Sequence, residues 1–499
     1  MLDVVGALVL YRRIVSGKFY VLWIFLFGLT IRALPEFLSG SYPVGFDLLA
    51  GYAPSVFAFP DFSPLKLFGW AYSPLAVAVL WFFWRLSGAD LYLLLKVAGP
   101  VFYGLFVLSF YYMLSRGLGW NKRKCFVTAL VFLLQPAILR TGWDQLREEL
   151  GLIFLFVLLG KVKLDLVGGA KSKPFWILAL SVLIVLSHQL AAILFFVVTL
   201  FQWCIALVKR QKSFGLGFLA VLPSAAVFAW ELYMSYFVNP GFSSHFAPIS
   251  LPSGSNNFVF TNYFLSDPRF LGGDYFTVLG YVGCLSFYAV VPLVPVAWKG
   301  VFRDRVLAPM LVWLGVMSYS ILAYPWYAFA QYWWWILLLP IPLTVYLGEG
   351  LERLEVFTSP KRFRITVAGL ILLGVVGFGY ATSIIRIGCP YMPSGLVESA
   401  MPFEDISNLK KALEWVNQNA SFNFSVIVDE KFQGIAYTEL RTDIRILVAP
   451  PLMKLSEVFE IIDREVSLPC FAVYYTKNAE EYNQYREASF GKIGTYLFN

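Results

Sequence analysis

The chain has 499 residues, of which 59% are hydrophobic, 18% aromatic and only 14% charged. Soluble domains carry about 25% charged residues, so the composition excludes an ordinary soluble domain and points to a polytopic membrane protein. The formal net charge of +8 does not point to nucleic acid as a partner, because the basic residues are spread through short loops between apolar runs, where a positive-inside bias places them.

In chain order, Arg12, Arg13 and Lys18 precede the first apolar run, residues 19–34, which lacks a small-residue cleavage site and reads as a signal anchor. Further spans are expected at 90–115, 125–139, 149–160, 174–187, 189–208, 214–237, 275–298, 306–322, 326–347 and 363–385. One more run, 67–86, decides the topology. If it crossed the bilayer, the basic loops at 116–124, 161–173 and 209–212 would all fall outside. Laid along the interface, or re-entering, it puts every basic loop inside, as the charge bias requires. Pro74 and the set Trp70, Trp81 and Trp84 suit an interfacial helix. The expectation is therefore about eleven transmembrane helices, with the N-terminus cytoplasmic and the C-terminus extracytoplasmic. Residues 35–89 form a first outside loop with interfacial helices. The runs 149–160 and 174–187 are short for a bilayer core about 30 Å thick, which suggests a thinned region or a groove wall.

Hydropathy falls after Arg386, so residues 1–385 read as the membrane domain and 386–499 as a separate unit. Residues 405–419 have helical periodicity with Ile406, Leu409, Leu413 and Val416 on one face. Strands are expected at 424–428, 444–448 and 470–475, with helices at 453–466 and 479–488, giving a small extracytoplasmic α/β domain. The sequons at Asn419 and Asn423 agree with an outside location. Five cysteines occur without a CxxC pair, which argues against zinc. Cys389 and Cys470 both fall in the terminal unit, where a disulfide between them competes with two small core residues.

Few ionisable groups occupy the outside ends of the spans. Asp47, in Gly45-Phe-Asp47-Leu, reads either as a general base for an acceptor hydroxyl or as the N-cap of the run that follows it. Glu36 marks the interface, and Asp61 sits in a Pro-Asp-Phe-Ser-Pro turn. The second outside loop, 140–149, holds Arg140, Asp144, Arg147, Glu148 and Glu149. Its two arginines suit a phosphate, Asp144 and Glu148 have the spacing to share one side of a helix start, and salt bridges among these groups are the competing explanation. His188 ends a span, where it could meet a phosphate, a metal or a proton. The loop 238–274, with His245, Asp267, Arg269 and Asp274, has the glycine and proline content of a lid. Trp333, Trp334 and Trp335 read as an aromatic belt, with sugar stacking as the weaker alternative.

Taken together, Gly45-Phe-Asp47 with Tyr52, the interfacial stretch Ser63 to Leu75, the basic loop after the next span and Trp143-Asp144 with Arg147 resemble the GT-C superfamily of membrane glycosyltransferases. The resemblance implies transfer of a sugar from a polyprenyl (dolichyl-type) phosphate or diphosphate carrier in the membrane to an extracytoplasmic glycan, lipid or protein acceptor. By position, Asp47 corresponds to the catalytic acid residue. Lys66, or Arg140 and Arg147, would hold the carrier phosphate, with His188 and Arg269 as further phosphate contacts. Asp144, with Glu148, corresponds to the second acidic motif. No cofactor is required for a monophosphate donor, whereas a diphosphate donor would favour a divalent ion, magnesium or manganese, on Asp47 and Asp144. The sequence departs from the superfamily at Trp333-Trp334-Trp335, which lacks the Asp-Tyr-Gly of oligosaccharyltransferases, and at Leu48, where protein mannosyltransferases pair a second acid. The rivals are a lipid or polysaccharide transporter and an inactive relative that acts as an assembly partner.

Overall fold

A computed structural model describes residues 17–38, 42–45, 48–57, 59, 73–210, 214–233, 282–283, 286, 289–300, 306–323, 332–382, 403–420, 424–429, 433–441, 443–449 and 470–473. The protein is mostly helical. Among the described residues five helices are long and apolar enough to cross a membrane: Tyr20–Phe37, Leu91–Gly117, Gln189–Val208, Gly215–Tyr233 and Trp334–Arg353. The chain is thus a multi-pass membrane protein.

The first helix, α1, runs Gly17–Leu38. It lies against α3, Leu91–Tyr112. Their close approach depends on small residues: a Cβ on Gly28 would sit 3.2 Å from the Gly104 Cα, and one on Gly104 would sit 2.9 Å from the Phe25 ring. Within a bilayer, packing of this kind rather than water exclusion holds helices together. Between them comes α2, Leu75–Ser87, which starts after Pro74 and stops at Gly88, whose φ of 61° lets its N–H reach back to the Trp84 carbonyl. Its 13 residues extend about 20 Å, less than a bilayer core about 30 Å thick. Phe82, Phe83 and Leu86 are exposed on it, and Arg85 lies over the Trp84 ring at 4.8 Å. Such a short, tryptophan-flanked helix has the form expected of an interfacial element.

The span expected at 125–139 is not one continuous helix. The structure has two helices there, α4 (Lys122–Leu134) and α5 (Pro136–Asp144), bent by 66°. Pro136 forces the preceding residue out of helical geometry. Gln135 accordingly sits at φ −68°, ψ 122°, and its amide donates to the Ala289 carbonyl at 2.8 Å. Then α6, Leu146–Lys161, begins after one residue. It packs against α7, Pro174–Ser187, which breaks at His188 before α8, Gln189–Val208. With 16 and 14 residues, α6 and α7 are about 24 and 21 Å long, so both are shorter than the bilayer core. Helices α9 (Phe214–Tyr233), α10 (Leu307–Tyr319), α11 (Pro340–Arg353) and α12 (Pro360–Thr382) follow. The core centres on four rings: Phe106 and Phe110 of α3, Phe132 of α4 and Phe156 of α6. Phe110 and Phe132 stack at 4.0 Å, and Phe106 and Phe156 at 5.8 Å.

Near the C-terminus, α13 (Phe403–Asn419) buries Leu409, Leu413 and Val416. Strands β1 (Ser425–Asp429), β2 (Arg445–Ala449) and β3 (Cys470–Val473) pair in parallel, in the order β2-β1-β3. A helix not read from the sequence, α14 (Gln433–Glu439), makes the crossover from β1 to β2. It packs onto the turn Leu48–Tyr52 and the short helix Ala53–Phe57, and Tyr92 and Thr438 share a hydroxyl hydrogen bond of 2.5 Å. The expected helices at 453–466 and 479–488 and Cys389, one half of the suggested disulfide, lie outside the described residues, as do the loop 238–274 and residues 275–281, 284–285 and 287–288 of the span at 275–298.

Candidate functional site

At the C-terminal end of α1, Arg32 is 1% exposed, inside a span read from the sequence as simply apolar. All three nitrogens of its guanidinium donate hydrogen bonds. Nε donates to the Gly142 carbonyl at 2.9 Å, and Nη2 to the Trp143 carbonyl at 2.8 Å and the Val44 carbonyl at 3.2 Å. Nη1 meets Glu36 Oε1 at 2.5 Å. The other oxygen of Glu36 accepts the Val44 N–H at 2.9 Å. Room for the guanidinium comes from Gly99 on α3, where a Cβ would lie 2.8 Å from Nη2. Lys96 adds a second tie, its ammonium donating to the Glu36 carbonyl at 2.5 Å and the Tyr42 carbonyl at 3.2 Å. Gly45 follows at φ 127°, a conformation only glycine adopts without strain. Glu36, expected only to mark the interface, is thus part of the link between the 42–45 segment and the bundle. Burial against Tyr92 and the terminal unit also pushes the Tyr42 phenol above its ordinary pKa.

The charged segment 140–149 is the main correction. It was expected as an outside loop. It is helical except at Gln145, and Arg140, Gln145, Glu148 and Glu149 are buried. Asp144 ends α5 and Glu148 lies in the first turn of α6, so the two do not share one helix start. A Cβ on Gly142 would stand 3.0 Å from Glu149 Oε1, which sets that carboxylate against the end of α5. The Arg147 N–H is held by the Tyr52 hydroxyl at 2.9 Å, and its guanidinium lies 5.3 Å from the centre of the Tyr52 ring. His188 is buried in the break between α7 and α8, 6.4 Å from the Trp334 ring. Trp335, expected in a belt, is instead buried in the core, edge-on to Trp313.

Sequence reasoning overlooked Glu231, near the end of α9. It is 3% exposed, neither carboxylate oxygen has a hydrogen-bond partner among the described residues, and Arg147 lies close enough to act on it electrostatically. An acid in an apolar span was the available signal.

The structure therefore draws together the segment after α1, through Val44 and Tyr52, and the α5–α6 junction, through Gly142, Trp143 and Arg147. His188 stands near that junction as well: a Cβ on Gly151, just beyond it in α6, would lie 3.5 Å from the His188 Cβ. Asp47, Lys66 and Arg269 lie outside the described residues, and the Asp144 side chain does as well. Among the described residues no group of three or more His, Cys, Asp or Glu is placed to hold a metal. The cluster presents cations, which can bind an anionic headgroup, beside carboxylates able to accept a proton.

The chain matches no protein-family model and no curated protein. Among solved structures, ArnT from Cupriavidus metallidurans bound to undecaprenyl phosphate is similar over 93% of this chain and 90% of its own, at 15% identity and a TM-score of 0.47. The apo form of the same protein aligns with 91% of this chain and 90% of its own, at 15% identity and a TM-score of 0.49. These values record a likeness in extent along the chain.

Proposed function

We propose that this protein is a membrane glycosyltransferase that moves a sugar from a polyprenyl phosphate carrier to an acceptor on the extracytoplasmic side. One observation supports it above the others: the two segments that carry the superfamily resemblance, far apart in sequence, are joined through Arg32 and through the Tyr52–Arg147 contact. In this reading Asp47 takes the proton of an acceptor hydroxyl. The hydroxyl oxygen bonds to the anomeric carbon from the face opposite the carrier, so configuration inverts. The bond from that carbon to the phosphate oxygen breaks, and the electron pair leaves with the polyprenyl phosphate. Arg147 and Arg140, with Lys66, His188 and Arg269 as further contacts, stabilise the charge that develops on the phosphate. Asp144 and Glu148 act as the second acidic motif, orienting the acceptor.

The buried charges described here sit near helix ends, with Arg32 and Glu36 closing α1 and Glu231 closing α9. A transporter would call for them at mid-membrane. The test is Asp47→Asn in protein reconstituted with a polyprenyl-phosphate sugar. Transfer should be lost while membrane insertion and thermal stability stay unchanged; retained transfer refutes the assignment.

A further inference from the structure

We propose that Arg32, braced by Glu36, is a positioning residue that sets the spacing between the two acidic segments of the site. The proposal rests on the glycosyl-transfer reading only for its activity readout; the geometry stands apart from it. Arginine is the one side chain with donors pointing in several fixed directions from a planar group. Here those donors are shared between segments. Two go to the carbonyls of Gly142 and Trp143, immediately before Asp144, and one goes to the carbonyl of Val44, three residues before Asp47. Nη2 alone bonds one carbonyl from each segment, at 3.2 and 2.8 Å. The two chains are therefore fixed to a single nitrogen.

Glu36 completes the device. One oxygen neutralises and orients the guanidinium, and the other takes the Val44 N–H, so Val44 is held at both its N–H and its carbonyl. Both residues lie on the same face of α1, four apart, and both are buried. Burying such a pair is seldom a net gain in stability, because desolvation offsets the attraction. Cutting Gly99 to a bare Cα opposite the guanidinium adds to that cost. What the arrangement provides is a fixed distance between the 42–45 segment and the end of α5, and a displacement of about 1 Å in a reacting group can cost on the order of 100-fold in rate.

The experiment uses the full chain in lipid nanodiscs and measures amide hydrogen exchange. Arg32→Lys keeps the charge and replaces the fork by one ammonium, which cannot serve both segments. Exchange should become about tenfold faster both in peptides covering 42–52 and in those covering 142–150, the size expected from losing one such hydrogen bond, with α8 unchanged. Glu36→Gln touches Val44 but neither Gly142 nor Trp143, so it should loosen 42–52 more than 142–150. It also supplies the answer where Arg32→Lys fails to insert. Acceleration of only one segment in Arg32→Lys, equal acceleration everywhere including α8, or an unchanged 42–52 in Glu36→Gln overturns the proposal.

In the transfer assay Arg32→Lys should lower kcat by about 100-fold and leave KM for the carrier within about threefold, since the interaction lost is one of alignment rather than binding. An equal loss through KM overturns a positioning role. Asp47→Asn run alongside separates the two hypotheses. If it keeps full activity the glycosyl-transfer reading fails, while the exchange pattern still decides whether Arg32 links the segments.

Discussion

Gly142→Ala offers a severe test of the site's geometry. The added methyl would stand 2.1 Å from Cδ2 and 2.6 Å from Cε2 of Tyr103. Non-bonded carbons rest at about 3.5–4.0 Å, so helix α5 and the ring must separate by about 1.4 Å or more. The ring has no easy retreat. Tyr103 is fully buried, and its hydroxyl is fastened to the Leu133 carbonyl at 2.6 Å. The other side of α5 is fastened too, since the Gly142 carbonyl is the acceptor for Arg32 Nε. Overpacking of this kind costs about 1–3 kcal/mol. The larger effect should fall on catalysis, because Asp144 is two residues away and a shift of about 1 Å is worth on the order of 100-fold. We expect single-turnover transfer to fall by that factor with a small drop in melting temperature in detergent. Gly315→Ala is the control: nothing lies within 4 Å of its added Cβ, and it should be silent or slightly stabilising. Combining Gly142→Ala with Tyr103→Ala should damage stability less than the sum of the two changes, because the second removes the obstacle to the first. A Gly142→Ala protein with wild-type rate and melting temperature would refute the close packing of α5 against α3.

Glu231→Gln should leave stability unchanged or raise it, since no hydrogen bond to the carboxyl group exists among the described residues and a buried ionisable group is replaced by a neutral one of the same shape; a clear loss in thermal unfolding would show that its ionised form is needed beside Arg147. Tyr92→Phe removes the hydroxyl contact with Thr438 and should loosen the seam between α3 and α14 by about 1 kcal/mol, seen as faster limited proteolysis after residue 403 without loss of the membrane core. Transfer from a monophosphate donor should persist in EDTA, because the proposed leaving-group stabilisation comes from arginine, lysine and histidine; abolition by EDTA and recovery with magnesium would instead place a divalent ion on Asp47 and Asp144.

The membrane core was readable because its signal is cumulative: long apolar runs produce α1, α3, α8 and α9 wherever the chain satisfies its own backbone. For the run 67–86 the charge pattern argued only for a segment that does not cross; among the described residues its helix covers Leu75–Ser87. The bend at Gln135 was missed although Pro136 was in view, since hydropathy runs unbroken across it and the proline was given no weight. The segment 140–149 was read as a loop for a related reason. A short charged stretch between apolar runs gives no sign of the partners that bury it, and those partners, Arg32 and Tyr52, are remote in sequence. Arg32 itself was hidden by averaging over an apolar span. Glu231 escaped in the same way. A window that scores mean hydropathy discards the single charged residue, which in a bilayer is the most informative one.

The placement of these charges bears on how the fold can tolerate them. Arg32, Glu36, Arg140, Glu148, Glu149, His188 and Glu231 are all buried, and each such group carries a desolvation penalty that the lipid cannot relieve. A layer like this would tend to splay the helices that bear it unless something rigid lies beneath. The rings of Phe106, Phe110, Phe132 and Phe156 are in that position. They join α3, α4 and α6 through stacked and edge-on contacts between 4.0 and 5.8 Å, and the same three helices lead to Gly99, to the α5 bend and to Glu149. Aromatic contacts of these geometries contribute about 0.5–1.5 kcal/mol each beyond area burial, and they resist sliding as well as separation. The polar layer is therefore held in register from below by aromatic packing and from the side by Arg32. On this account Phe132→Leu should disturb transfer without touching the site, by letting α4 and the α5 bend drift. Its signature would be faster amide exchange at 142–150 with little change at 42–52, the reverse of the pattern expected for Glu36→Gln.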